Sequence, residues 1–153
     1  MAVRMSANFA GEGLGYTLNG KMGPTLDSHR LIELARSQGG EGLQNKIVER
    51  LFLAYFTQGK DVSDRGVLVE LASDVGVSGA EIFLASDDGK MEVVSAMRES
   101  QAMGVTGVPH FFFSYQANGM SEPMNFSLPG AQDVPVFEMV LKKLVTKSRD
   151  AKL

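Results

Sequence analysis

The sequence predicts an α+β fold in which helices occupy most of the first two thirds of the chain. Apolar residues recur at helical spacing from about residue 26 to residue 103, and glycines interrupt the pattern several times. The pattern then changes to that of a strand in the aromatic run at residues 110–115. The expected order is five helices, a β-hairpin and a final helix.

Composition is that of an ordinary globular protein. The chain has 153 residues, of which 44% are apolar and 22% are charged, so one domain with a sizeable core is expected. A net charge of −3 gives no basic surface for a nucleic acid or an anionic membrane. We therefore expect neither as a partner.

The chain contains no cysteine, which excludes structural disulfides, thiolate metal sites and cysteine nucleophiles from these residues. No apolar run approaches the roughly 20 residues that a membrane span needs. Residues 1–13 lack the apolar core of a signal peptide. The expected location is the cytoplasm.

Two glycines separate the first two predicted helices. The first runs from Asp27 to Gln38, can be capped by Thr25 or Asp27, and ends at Gly39-Gly40. The second runs from about Leu43 to Gln58 and stops at Gly59. Its apolar residues cover more than one stripe, so this helix is either central to its subdomain or offers a face to a partner.

Three shorter helices are expected next. Ser63 is the candidate N-cap of one that ends near Gly76, and Ser78 with Glu81 forms a capping box for another. The fifth helix spans about residues 90–103. Its apolar residues are expected to face the core: Met91, Val94, Met97 and Ala102.

The sequence predicts a β-hairpin and a helix for the last third of the chain. Strands are predicted at residues 110–115 and 124–128 with a turn at Asn118-Gly119. The last helix, about residues 134–147, places four apolar residues on one face: Phe137, Val140, Leu141 and Leu144. A hairpin alone is marginal in water and needs further strands or packing partners.

A proline opens the aromatic strand. Pro109 cannot donate to a sheet ladder, so it belongs at the first residue of a strand or on an edge. Only about 5% of X–Pro bonds in folded proteins are cis, so an arbitrary Val-Pro pair would be trans.

The residues around this proline resemble those of one family. The run from Gly104 to Pro109, with three Phe after His110, resembles the DsbA family of thioredoxin-like proteins, specifically its FrnE-like branch. The similarity covers roughly residues 14–145. Further matching segments are His29-Arg30-Leu31, Glu49-Arg50-Leu51-Phe52, Ala54-Tyr55-Phe56, Gly59-Lys60-Asp61, Pro129-Gly130-Ala131-Gln132 and Val136-Phe137.

The resemblance implies a thioredoxin-like fold with a DsbA-type helical insertion, and thiol–disulfide oxidoreductase chemistry. It divides the chain into a leader remnant at 1–25, a helical insertion at 26–104 and the C-terminal half of a thioredoxin-like domain at 105–148. Complete members begin with a strand, a Cys-x-x-Cys motif and a second strand, which this chain lacks. A truncated gene product, a divergent paralogue and a deliberately shortened chain all remain open.

The same resemblance places a substrate-binding site at Thr106, Val108, Pro109 and His110. It implies a cis bond before Pro109 that turns the polar main-chain groups of Val108 outward, where an extended peptide or glutathione can pair with them. With no cysteine, no catalytic residue is expected and the chain should be redox-inert.

The other candidate sites have less support from the sequence. His110 is either a proton shuttle or a half-buried strand residue, and His29 is expected to have a structural role. Gly130, Ala131 and Gln132 stand where kappa-class transferases and hydroxychromene carboxylate isomerases hold glutathione, but those relatives favour small hydroxyl and acidic residues there. Two distant histidines support no metal site, and no cofactor is expected.

Three functions therefore remain open: a part or isoform of an oxidoreductase, a non-catalytic peptide-binding module, and a glutathione-dependent transferase or isomerase. A homo-oligomer is expected through an unpaired strand edge or the apolar second helix.

Overall fold

The computed structural model describes residues 2–17, 20–21, 23–116 and 121–150. The chain divides into two compact units, an N-terminal unit (Met1–Met97) and a C-terminal unit (Arg98–Leu153). The elements in order are α1 (Ala2–Gly11), α2 (Leu26–Phe52), a π-helical turn (Leu53–Thr57), α3 (Arg65–Val75), α4 (Ala80–Ala85), α5 (Lys90–Ala102), β1 (His110–Tyr115), β2 (Met124–Pro129) and α6 (Val134–Asp150). The predicted α+β class is confirmed.

Helix α2 consists of two helical halves joined at Gly39 and Gly40, as the glycine pair predicts. Gly40 has φ +61° and ψ −156°, a conformation open mainly to glycine. Both halves contribute to one core, the first through Leu31 and Ala35 and the second through Ile47 and Leu51. The bend therefore lets one stretch of sequence cover two sides of the same core.

The second half of α2 widens at its end instead of continuing as an α-helix. The amide of Gln58 donates to the carbonyl of Leu53 at 3.1 Å, a bond across five residues. The hydroxyl of Thr57 also donates to this carbonyl, at 2.6 Å. Helical structure thus ends close to the predicted position, but through a π turn that the sequence pattern did not indicate.

The predicted caps of α3 and α4 are wrong. Asp64, not Ser63, caps α3, because its carboxylate accepts from the amide of Val67 at 3.0 Å while the Ser63 hydroxyl donates to Asp61. Gly79 precedes α4 and makes no side-chain cap. The main chain of Ser78 instead pairs with the side-chain amide of Gln38, at 2.8 and 2.9 Å.

The predicted core face of α5 is also wrong. Met91, Met97 and Ala102 are exposed, and Val93 is the buried residue of this helix. Every residue from position 95 to position 99 is exposed. Burial on α5 is confined to its first turns, so the later apolar residues share a helical pattern without reaching a core.

Residues predicted as a leader include α1, which contributes to the N-terminal unit. The ring of Phe9 packs against those of Tyr16 and Phe56, with centroids 5.1 and 5.7 Å apart. The amide of Thr17 donates to the carbonyl of Phe56 at 2.9 Å. These contacts attach the start of the chain to the π turn.

The C-terminal unit contains the hairpin and α6. Strands β1 and β2 are antiparallel and pair from His110 opposite Pro129 to Tyr115 opposite Met124. The predicted turn at Asn118-Gly119 lies outside the described residues. Phe137 of α6 contacts the rings of Phe111 and Phe113, with centroids 4.9 and 6.3 Å apart. Leu144 is buried as predicted, whereas Leu141 is exposed.

Candidate binding site at the entrance of the first strand

The loop before β1 carries the residues that the sequence singled out. Thr106, Val108 and Pro109 are exposed, and His110 is half-buried as the first residue of the strand. The side chain of Val108 is 89% exposed. The peptide bond between Val108 and Pro109 is cis.

The pairing of β1 with β2 decides where the main-chain N–H and C=O groups of β1 point. The carbonyl of Pro109 accepts from the amide of Gly130 at 2.8 Å. Because an antiparallel pair alternates between residues that bond to the partner and residues that face away, the N–H and C=O groups of every second residue point to the opposite edge. Within β1 those outward-facing residues are His110, Phe112 and Ser114.

This outer edge of β1 is unpaired in the part of the chain that the structure describes. The sheet there has two strands, and no main-chain hydrogen bond joins the three outward-facing residues to another described residue. An unpaired edge is a template for a further strand. The arrangement can therefore bind an extended chain through main-chain bonds.

The ring of His110 lies on the same face as that of Phe112. The two rings stack with centroids 4.7 Å apart and planes at 29°. Both ring nitrogens of His110 are buried and have no hydrogen-bond partner among the described residues. A proton shuttle needs such partners, so the structure offers His110 no relay within this region.

The turn after β2 lies against the same loop. Gly130 has φ +77°, and its amide is the one that donates to Pro109. The side-chain amide of Gln132 donates to the carbonyl of Pro129 at 2.8 Å, so it is engaged within its own turn. The structure thus brings two separately identified segments, 106–110 and 130–132, into contact.

A buried arginine is the residue that sequence reasoning missed. Arg30 is fully buried, and its guanidinium donates to the carbonyl oxygens of Phe83 (2.7 Å), Ser86 (2.9 Å) and Asp88 (2.8 Å). The neighbouring His29, for which we expected a structural role, is exposed, and its ring bonds to no described residue. The structural link in the His-Arg-Leu motif is made by the arginine.

Asp27 completes the charge balance around Arg30. Its carboxylate accepts from Arg30 at 2.7 Å and from Arg65 at 2.8 Å. Burial alone would raise the pKa of Asp27, but the hydrogen bonds and charges of the two arginines outweigh it and lower the pKa below 3.8. This group of residues stabilises the N-terminal unit and leaves no free charge for chemistry.

Comparison with known families identifies the fold. The sequence matches the family model described as a DSBA-like thioredoxin domain over residues 1–142. The chain belongs to this family. No curated protein sequence matches the chain at a significant level.

The match to the family model extends over residues of both units, and it includes residues 1–13, which were expected to be a leader. It establishes the fold of a thiol–disulfide oxidoreductase family. The 153 residues contain no cysteine, and the described residues hold no cluster of three or more metal-ligating side chains. Among the described helices, none is both long and apolar enough to cross a membrane.

Proposed function

We propose that this chain is a redox-inert, FrnE-like member of the DSBA-like family that binds extended polypeptides along the outer edge of β1. The observation that carries the proposal is the row of outward main-chain groups at His110, Phe112 and Ser114, none of which pairs with another described residue.

Redox inertness follows from composition. Thiol–disulfide exchange begins with attack by a thiolate and passes through a mixed disulfide, and a second thiol then resolves that intermediate. Without a single cysteine, these residues supply neither sulfur. Substrate binding does not need a thiol, so it is the part of the family's activity that remains possible.

The binding mode is strand addition. Main-chain bonds to β1 provide affinity, and side chains on the adjacent face provide selectivity. Phe112 is 54% exposed on that face, which gives an incoming apolar side chain a ring to pack against.

Two other occupants compete for the same site. A second copy of the chain can pair edge to edge with β1, which would form the expected homo-oligomer. Glutathione is less favoured, since the side chain of Gln132 is already bonded to the main chain of its own turn.

The test uses fluorescently labelled, reduced and carboxymethylated insulin B chain as an extended probe. Binding is measured by fluorescence anisotropy with the wild-type chain, Ser114→Pro and Ser114→Ala. Ser114→Pro removes an outward N–H, whereas Ser114→Ala keeps the main chain and removes only an exposed hydroxyl. We expect about a tenfold weaker affinity for the first variant and little change for the second.

The same preparation is tested for reduction of insulin by dithiothreitol and for its mass by light scattering. We expect no acceleration of insulin reduction. Absence of probe binding, or equal losses in both variants, would contradict strand addition. A dimer that the probe dissociates would show that a second copy occupies this edge in the free protein.

A further inference from the structure

A second concave site lies wholly within the N-terminal unit. It is a cavity of about 320 Å³, and its apolar lining is formed by Ile32, Leu51, Phe52, Tyr55, Phe56 and Val62. This volume is at the lower end of the roughly 300–1,000 Å³ range of small-molecule sites. The cavity therefore suits a compact ligand and not an extended chain or a large cofactor.

Three aromatic rings from the junction of α2 and the π turn make up much of this lining. The ring of Phe56 lies between those of Tyr55 and Phe52, with centroids 4.9 and 5.9 Å away. Phe52 is 58% exposed although it is large and apolar. π turns within helices are frequent at functional sites, and aromatic rings bind other rings in stacked or edge-on arrangements.

Close packing and a hydrogen bond hold the cavity wall around residues 23 and 62–63 in place. A Cβ atom added to Gly23 would lie 2.0 Å from the hydroxyl oxygen of Ser63. The hydroxyl of Ser28 donates to the carbonyl of Val62, which connects the start of α2 to the same loop. The concave shape is thus built by specific contacts.

The polar side chains that line the cavity can donate hydrogen bonds. The described lining residues include Lys21, His29 and Thr25, and none of the described lining residues is acidic. Thr25 is exposed and its side chain makes no capping hydrogen bond to α2. Asp61 is the acid near Lys21, and its carboxylate already accepts from the amide and hydroxyl of Ser63 at 2.9 and 2.5 Å.

We infer that this cavity binds a small aromatic monoanion of about two fused rings. Its rings lie against Phe52, Tyr55 and Phe56, and its anionic group is bound by Lys21 with Thr25 and His29 alongside. Nothing in this inference depends on the edge of β1, because the two sites belong to different units.

The probe is 2-naphthoate, with the uncharged 2-naphthamide as its matched control. Each is titrated into the ¹⁵N-labelled full chain, and binding is followed by amide chemical shifts. We expect shifts at residues 21–32 and 51–62 and about a tenfold higher affinity for the carboxylate than for the amide. Lys21→Gln should abolish this tenfold preference, whereas Lys60→Gln, which removes a lysine paired with Glu70, should retain it.

A further variant, Ile32→Phe, fills the cavity and should weaken both ligands, with the amide spectrum reporting whether the fold is intact. The inference is overturned if 2-naphthoate causes no shifts, or if the shifts lie outside these two segments. It is also overturned if the two ligands bind equally, or if Lys21→Gln retains the preference for the carboxylate.

Discussion

Arg30 and Phe83 contact each other twice. The guanidinium donates to the main-chain carbonyl of Phe83 at 2.7 Å, and its carbon lies 5.1 Å from the centre of the Phe83 ring. Helix α4 is thereby attached to the first half of α2 by one side chain. Arginine suits this position because its planar, always charged head group presents several donors in a fixed geometry.

Replacing Arg30 should destabilise the protein strongly. Arg30→Met takes the guanidinium donors from the carbonyl oxygens of the 83–88 segment and one of two arginine partners from Asp27, so we expect a loss of about 3–5 kcal/mol in the free energy of unfolding. Urea denaturation followed by circular dichroism measures it. Arg36→Met is the control, since Arg36 forms only an exposed ion pair with Glu33 and should cost at most about 1 kcal/mol.

A comparable loss with both variants would contradict this structural role. Arg30→Lys is the more demanding test, because lysine keeps the charge but cannot reach several carbonyl oxygens in the geometry of a guanidinium. We expect it to recover only a minor part of the stability.

Gly89 supports the same contact from the other side. It has φ +74°, and a Cβ atom at this position would lie 2.8 Å from the Phe83 ring. Gly104 has φ +82° but nothing within 4 Å of its Cβ position. Gly104→Ala therefore reports the cost of the left-handed backbone alone, about 1–2 kcal/mol, and Gly89→Ala should cost about 1–3 kcal/mol more because Phe83 must move. Equal thermal shifts in the two variants would contradict the close packing.

From residue 26 onward, sequence patterns predicted the order of the elements because local chemistry decides it, whereas helix α1 was not predicted. The Gly39-Gly40 pair ends one helical half, and the aromatic run over residues 110–115 forms a strand. Burial was harder, since helical spacing shows which residues share a face but not which turn reaches the core. On α5 that turn contains Val93, whereas Met91 and Met97 are exposed.

Arg30 was missed for a related reason. A charged residue within a helix is normally solvated, and its burial depends on four carbonyl oxygens in the segment 83–88, more than fifty residues away. The candidate site was better defined by sequence, since Thr106, Val108, Pro109 and His110 are consecutive or nearly so. What the sequence lacked was the strand register, which decides that the main chain of His110 faces the open edge.

His110→Phe should stabilise the C-terminal unit. The replacement keeps a ring to stack on Phe112 and removes two buried nitrogens that have no partner among the described residues. Since an unsatisfied buried polar group costs about 1–3 kcal/mol, we expect a gain of about 1 kcal/mol. His110→Gln, which retains buried polar atoms, is the control and should bring no gain. Because the main chain is unchanged, His110→Phe should also retain binding of the insulin B-chain probe, and loss of binding would assign the ring a direct role.

Asp27 should make stability depend on pH in the acid range. The pKa of its carboxyl in the folded state lies below the unfolded value of 3.8, so the unfolded chain takes up the proton first as the pH falls. The stabilisation is fully present above about pH 4 and is lost as the pH falls through the folded pKa. Asp27→Asn should therefore be less stable than wild type at neutral pH, and the difference should shrink toward about pH 3.

Asp87→Asn is the matched control for that experiment. The hydrogen bond and charge of Lys90 also lower the pKa of Asp87, but its side chain is 90% exposed, whereas that of Asp27 is 17% exposed. Water and salt screen the exposed pair, so this variant should change stability little at any pH, and added salt should reduce the change further. Urea midpoints measured at neutral and acid pH distinguish the Asp27→Asn variant from the Asp87→Asn variant. A difference between wild type and Asp27→Asn that stays constant down to about pH 3 would mean that packing, and not the charge held between Arg30 and Arg65, accounts for the role of Asp27.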